Sequence, residues 1–158
     1  MTSPDLGHWP VKNGKYRQSE VSSFIGSGDA FWERVTADVL RWKVKTASGF
    51  EVDPAGPVKP GEELEVTARM LGLKIIEPVK VLTVIQETRR VGFSYCTLPG
   101  HPVDGEEAFV IDRRGEDVHL TIRSLTRAAP QQPWRVLFPA LLVVQRIVRR
   151  RYLRALRQ

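Results

Sequence analysis

With 158 residues, 42% of them hydrophobic and 27% charged, the chain has the size and composition of one globular domain, which excludes a disordered or fibrous protein. Its longest clearly apolar run, "VLFPALLVV" at 136–144, contains a proline and is less than half of the roughly 20 residues a membrane-spanning helix needs. The net charge of +6 equals the six arginines between Arg146 and Arg157, a stretch without an acid, so the body is neutral and the excess lies on the last element.

The start carries no apolar segment of the kind a secretory signal requires, and Cys96, the single cysteine, cannot close an internal disulfide. The expectation is a reduced, cytoplasmic protein. Residues 1–16 hold Pro4, Gly7, Pro10 and Gly14 and read as an irregular lead-in to one domain over 17–158. "YRQSEVSSFIG" (16–26) predicts a first strand, broken by "GSGD". Asp29 is placed to cap a helix over 29–43, whose Phe31, Val35, Val39 and Trp42 recur at helical spacing. "DPAGPVKPGEE" (53–63) predicts a connecting loop.

Strands follow. In "LEVTARM" (64–70), Leu64, Val66, Ala68 and Met70 alternate with polar residues, the period of a half-buried strand. "KVLTVIQE" (80–87), "RVGFSYCTL" (90–98), "EEAFVID" (106–112) and "DVHLTIRSLT" (117–126) continue the pattern, with turns at "ETRR" and "DRRGED". A final helix places Leu137, Leu141, Val144, Val148, Tyr152 and Ala155 on one side, edged by Ala140 and Ile147. Arg146, Arg149, Arg150, Arg154 and Arg157 fall opposite, and Pro139 sits in the first turn or kinks the helix. Consecutive strands between two helices predict an α+β domain whose antiparallel sheet covers its apolar face with the C-terminal helix.

The stretches "GSGDAFWERVTADVLRW", "GFSYCTLPGHPVDGEEAF", "IRSLTR" and "VQRIVRRRYLRAL" together resemble the domain-of-unknown-function family nineteen-ninety, a group of uncharacterised bacterial and plant proteins. The likeness runs over about 20–157 and departs from the family pattern at Cys96, where a small residue is expected. It implies a START-like, helix-grip fold similar to the birch-pollen allergen: a curved antiparallel sheet wrapped on a long C-terminal helix. A cavity between them and a hydrophobic ligand are implied with it, and no reaction.

Within the central block, "TLPGHPVDG" holds two prolines and two glycines between strands, a shaped loop. Two readings stand: a rigid turn whose His101 and Asp104 satisfy backbone groups, or a loop framing a cavity mouth. Alternation puts Phe93, Tyr95 and Thr97 on one face, and Glu107 on a face with Phe109 and Ile111. A carboxylate among apolar neighbours either pairs with a base such as Arg123 or has a raised pKa. The expected ligand-binding set is therefore Phe93, Tyr95, Thr97, His101, Glu107, Phe109 and Arg123.

The leading expectation is binding of a small hydrophobic or amphipathic ligand. One alternative is a cyclase- or dehydratase-like enzyme of the same fold with Tyr95, His101 and Glu107 as acid/base groups. A second is an adaptor for anionic surfaces, RNA or membrane, through Arg146, Arg150, Arg154 and Arg157, against which stands a plain solvated arginine face complementing the helix dipole. Three histidines and one cysteine show no metal-ligand spacing, and "GSGD" lacks a dinucleotide context. The expectations are accordingly no metal, no cofactor, no specific nucleic acid, and a monomer or homodimer.

Overall fold

Each period-two run becomes a strand in the computed structural model, which describes residues 1–10, 14–70 and 72–157. Lead-in positions 11–13, and residues 71 and 158 of the expected domain, lie outside the described residues. The strands are β1 (Arg17–Ser27), β2 (Phe50–Asp53), β3 (Glu63–Met70), β4 (Leu73–Glu87), β5 (Arg90–Thr97), β6 (Val103–Arg114) and β7 (Asp117–Ala128). They form one seven-stranded antiparallel sheet in the order β1-β7-β6-β5-β4-β3-β2. Helices α1 (Asp29–Val39) and α2 (Lys43–Thr46) span from one sheet edge to the other, and α3 (Trp134–Ala155) follows β7. This is the α+β helix-grip plan, a curved sheet around a C-terminal helix.

Two devices shape the sheet. Bulges interrupt the register at Phe24/Gly26 and at Val81/Thr83, and each bends its strand. Neighbouring strands approach closely at Gly105, where a Cβ would lie 1.7 Å from the Leu125 carbonyl oxygen, and at Gly92, 2.2 Å from that of Phe109. The concave face then collects Phe93, Phe109, Ile111, Leu120 and Ile122, all fully buried beneath Val35, Val39, Trp42 and Val44 of the α1–α2 segment.

Two local expectations are corrected, and the alternative left open at Pro139 is narrowed. The N-cap of α1 is Gly28, at φ 91°, and Asp29 is the first helical residue, its carboxylate 2.6 Å from Arg113. The helix predicted over 29–43 stops at Val39, because Trp42 takes the left-handed conformation (φ 63°) with its indole buried against Phe93. Its carbonyl then accepts from the Lys45 and Thr46 amides and starts α2. Pro139 is the sixth residue of α3, beyond the first turn, so the Arg135 carbonyl has no i+4 amide to accept from.

Residues 1–10 carry no strand or helix but pack on the convex face. Arg123, 1% exposed, donates to the carbonyls of Ser3 and Gly7, pairs with Glu20 at 2.5 Å and lies over the Trp9 ring. Arg90 donates to the carbonyls of Pro4 and Leu6 and pairs with Asp112. Thr2, Pro4 and Trp9 are buried as a result.

Candidate functional site

Between the concave face and α3 lies a cavity of about 120 Å³, roughly ten times the 10–15 Å³ that one water requires. Its apolar walls come from Ala68, Met70 and Ile75 on the β3–β4 hairpin and from Leu141, Val144 and Val148 on α3. Its polar lining gathers Lys45, Glu77, Tyr95, Thr97, His101, Glu107, Arg149 and Tyr152.

The centre of the polar cluster is Glu107. The Tyr95 hydroxyl donates to its Oε1 at 2.6 Å, and Lys45 Nζ lies 3.6 Å from the same oxygen. Lys45 is 5% exposed, with Nζ within 4.7 Å of the Phe50 ring centre, 5.0 Å of Tyr152 and 5.4 Å of Tyr95. An ammonium so enclosed is held by the ring faces as well as by the carboxylate. Burial, then the Glu107 charge, pushes the Tyr95 hydroxyl well above its ordinary value, and burial does the same to Tyr152. Both stay protonated donors.

His101 adds a neutral group. Its Nδ1 accepts from the Val103 amide at 3.0 Å, which leaves the ring proton on Nε2, 3.8 Å from Glu77 Oε2. Burial first, and the Lys45 charge second, lower its pKa to about 3. Burial raises that of Glu77. His101 ties down its own turn and also lines the cavity, whereas Asp104, expected to satisfy a loop backbone group, pairs with Arg127 and accepts from the Tyr16 hydroxyl.

Of the expected ligand-binding set, Tyr95, Thr97, His101 and Glu107 line the cavity. Phe93 and Phe109 do not; they lie beneath, packed on Trp42 and Tyr152. Arg123 is corrected outright. It alternates out of register with Ile122 and Ser124, so it faces the convex side and holds the N-terminal segment. The base that pairs with Glu107 is Lys45, which sequence reasoning missed because a four-residue helix is too short to show a periodic signal that separates Lys45 from Lys43.

The faces of α3 also differ from expectation. Leu137 is exposed, whereas Leu156 is buried. Arg149 turns to the sheet, its guanidinium donating to Ser19 Oγ at 2.8 Å and Ser124 Oγ at 2.6 Å. It stands four residues after Gln145 and three before Tyr152, on the docked side of the repeat. Arg146, Arg150, Arg154 and Arg157 are exposed. Cys96 lies on the strand face opposite Tyr95, half-exposed, and burial and the Glu106 carboxylate raise its thiol pKa. Among the described residues no three His, Cys, Asp or Glu side chains group to hold a metal ion, and no helix is long and apolar enough to cross a membrane.

The model of the family described as "Domain of unknown function (DUF1990)" matches residues 3–155. A UPF0548 protein of Deinococcus radiodurans is 31% identical over 119 residues, 66% of this chain and 59% of that protein, so the match spans under two thirds of the relative. Among solved structures, a hypothetical protein of Helicobacter pylori superposes with a TM-score of 0.65 at 11% identity, over 99% of this chain and 96% of that one. A major latex-like protein of Panax ginseng gives 0.52 at 16% identity, over 87% and 99%. At such identities the likeness is one of fold.

Proposed function

We propose, for a chain that belongs to the DUF1990 family, that the space between sheet and α3 binds a small amphipathic molecule. The observation that carries this reading is the make-up of the cavity. Apolar walls on two elements meet a cluster of buried donors and acceptors, and a few placed polar groups in an apolar cleft are what fix a small ligand's orientation. The Lys45–Glu107 pair balances its own charge, so this cluster suits hydroxyl or carbonyl groups of the ligand.

A catalytic reading rests on the Tyr95–Glu107–Lys45 contact, which offers a proton donor beside a carboxylate. His101 does not serve it as an acid at neutral pH, since its ring stays unprotonated there. One experiment addresses both. Native mass spectrometry of the protein from its own source should show an adduct of small-molecule mass, absent from Val144→Trp, in which the indole occupies the cavity. An extracted ligand that returns unaltered after incubation supports binding. One that returns dehydrated or cyclised, and does so only with Glu107 intact, supports the enzyme. No adduct, and no thermal shift with any apolar fluorophore, overturns the reading.

A further inference from the structure

Five arginines of the body have acid partners: Arg69 with Glu51, Arg90 with Asp112, Arg113 with Asp29, Arg123 with Glu20 and Arg127 with Asp104. Arg17, Arg146 and Arg149 are among those that do not. Beside the cavity, a second cleft of about 190 Å³ opens between the start of β1 and α3, and Arg17, Ser19, Thr126, Gln145, Arg146 and Arg149 are among the residues that line it. No acid lines it, and among the described residues no carboxylate lies within ion-pair distance of Arg17, Arg146 or Arg149. Arg149 is half-buried and bonds two hydroxyls, which carry no countercharge. Burial lowers its pKa; the Glu107 carboxylate in the neighbouring cavity opposes this, and the charges of Arg17 and Arg146 add to the lowering. Three cations that line one acid-free cleft, one of them half-buried and two exposed, repel one another, and an anionic ligand relieves that repulsion.

We infer that Arg17, Arg146 and Arg149 receive a phosphate monoester, the head group of the ligand whose apolar body occupies the cavity. Thr126, Gln145 and Arg149 line both spaces, so head and body are contiguous. Gln145 Nε2 donates to Thr126 Oγ1 at 3.2 Å, which fixes the shared wall. The two polar regions then divide the work. Lys45 is neutralised by Glu107 and asks for no charge, whereas the three arginines together call for more than one negative charge. A phosphate monoester brings about −1.5 to −2 at neutral pH and three acceptor oxygens, and guanidinium forks match it. A carboxylate brings half of that.

This inference rests on the cavity reading, and calorimetric titration of the full chain with decyl phosphate, 1-decanol and inorganic phosphate keeps the two apart. Decyl phosphate should bind about ten- to a hundred-fold more tightly than decanol, as one or two charge-assisted contacts provide, with a preference that shrinks as salt rises. The double variant Arg17→Gln/Arg146→Gln, both at exposed positions, should bring the two ligands within a few-fold of each other and leave decanol affinity unchanged. Inorganic phosphate alone should bind far more weakly than the decyl ester. Equal binding of ester and alcohol overturns the anion receptor while the cavity reading stands. Inorganic phosphate binding as tightly as the ester, and still doing so in Val144→Trp, overturns the shared ligand. Failure of both decyl compounds to bind overturns both readings.

Discussion

At the scale of single residues, His101 carries a measurable pH signature. Its imidazole titrates near 6.5 when unfolded and near 3 when folded, because burial and the Lys45 ammonium both disfavour the charged ring. Between those values the unfolded chain binds the extra proton. The stabilisation is therefore complete above about pH 6.5 and lost as pH falls towards 3. Its size is on the order of 3–5 kcal/mol at about 1.4 kcal/mol per unit. Glu77 acts in the opposite sense, since its raised pKa favours the folded form in acid, so the comparison with a His101 variant isolates the imidazole. Urea unfolding of the parent and of His101→Asn from pH 7 to 4 should show the acid loss in the parent and most of it gone in the variant. Parallel curves would place the titrating group elsewhere. Some of this site is visible in sequence. Tyr95, Thr97 and Glu107 share one strand face by parity alone, and parity equally puts Arg123 opposite Ile122. Lys45 is invisible, because its position depends on the left-handed Trp42, and no local pattern marks a tryptophan for that conformation.

Elements were legible where apolar runs lie between turn residues. β3 alternates over Glu63–Val66, whereas β5 and β7, buried on both faces along most of their length, show as β-branched and aromatic runs, and the bounds of all three follow closely. The first half of β4 escapes notice because Lys74, Glu77 and Pro78 break the alternation, and four-residue β2 is too short to show a period. In α3 the apolar repeat is real but wider than the contact it makes. Val136, Val143 and Ile147 are all more than half exposed, and Leu137 is 44% exposed, while Tyr152 packs at a ring distance of 5.3 Å on Phe109. Tyr152→Ala should thus cost about 3–5 kcal/mol. Leu137→Gln and Arg150→Gln should each stay within about 0.5 kcal/mol, as substitutions away from packed surfaces do. Chemical denaturation of the three variants checks this, and a Leu137→Gln loss matching that of Tyr152→Ala would mean the helix seats on its other side.

For the molecule as a whole, the N-terminal residues are structural rather than spare. Two buried arginines on the convex face use backbone carbonyls of residues 3–7 as acceptors, and Trp9 closes over one of them. Trp9→Ala should lower stability by about 2–4 kcal/mol in urea without altering ligand binding on the concave side. An equal loss of affinity would mean the two faces are coupled. The strand order carries a further consequence. β1 pairs with β7 from Arg17↔Thr126 to Ser27↔Asp117, so the first strand made is completed by the last. At roughly 5–20 residues per second, synthesis leaves β1 without its partner for on the order of 5–20 s. During that interval the β2–β6 meander pairs with its sequence neighbours, and β1 waits as an open edge tethered through α1. Its polar residues Gln18, Ser19, Glu20, Ser22 and Ser23 make that edge a poor template for other chains. The hydrophilic character of this strand thus protects the nascent polypeptide on the ribosome until β7 arrives to close the sheet.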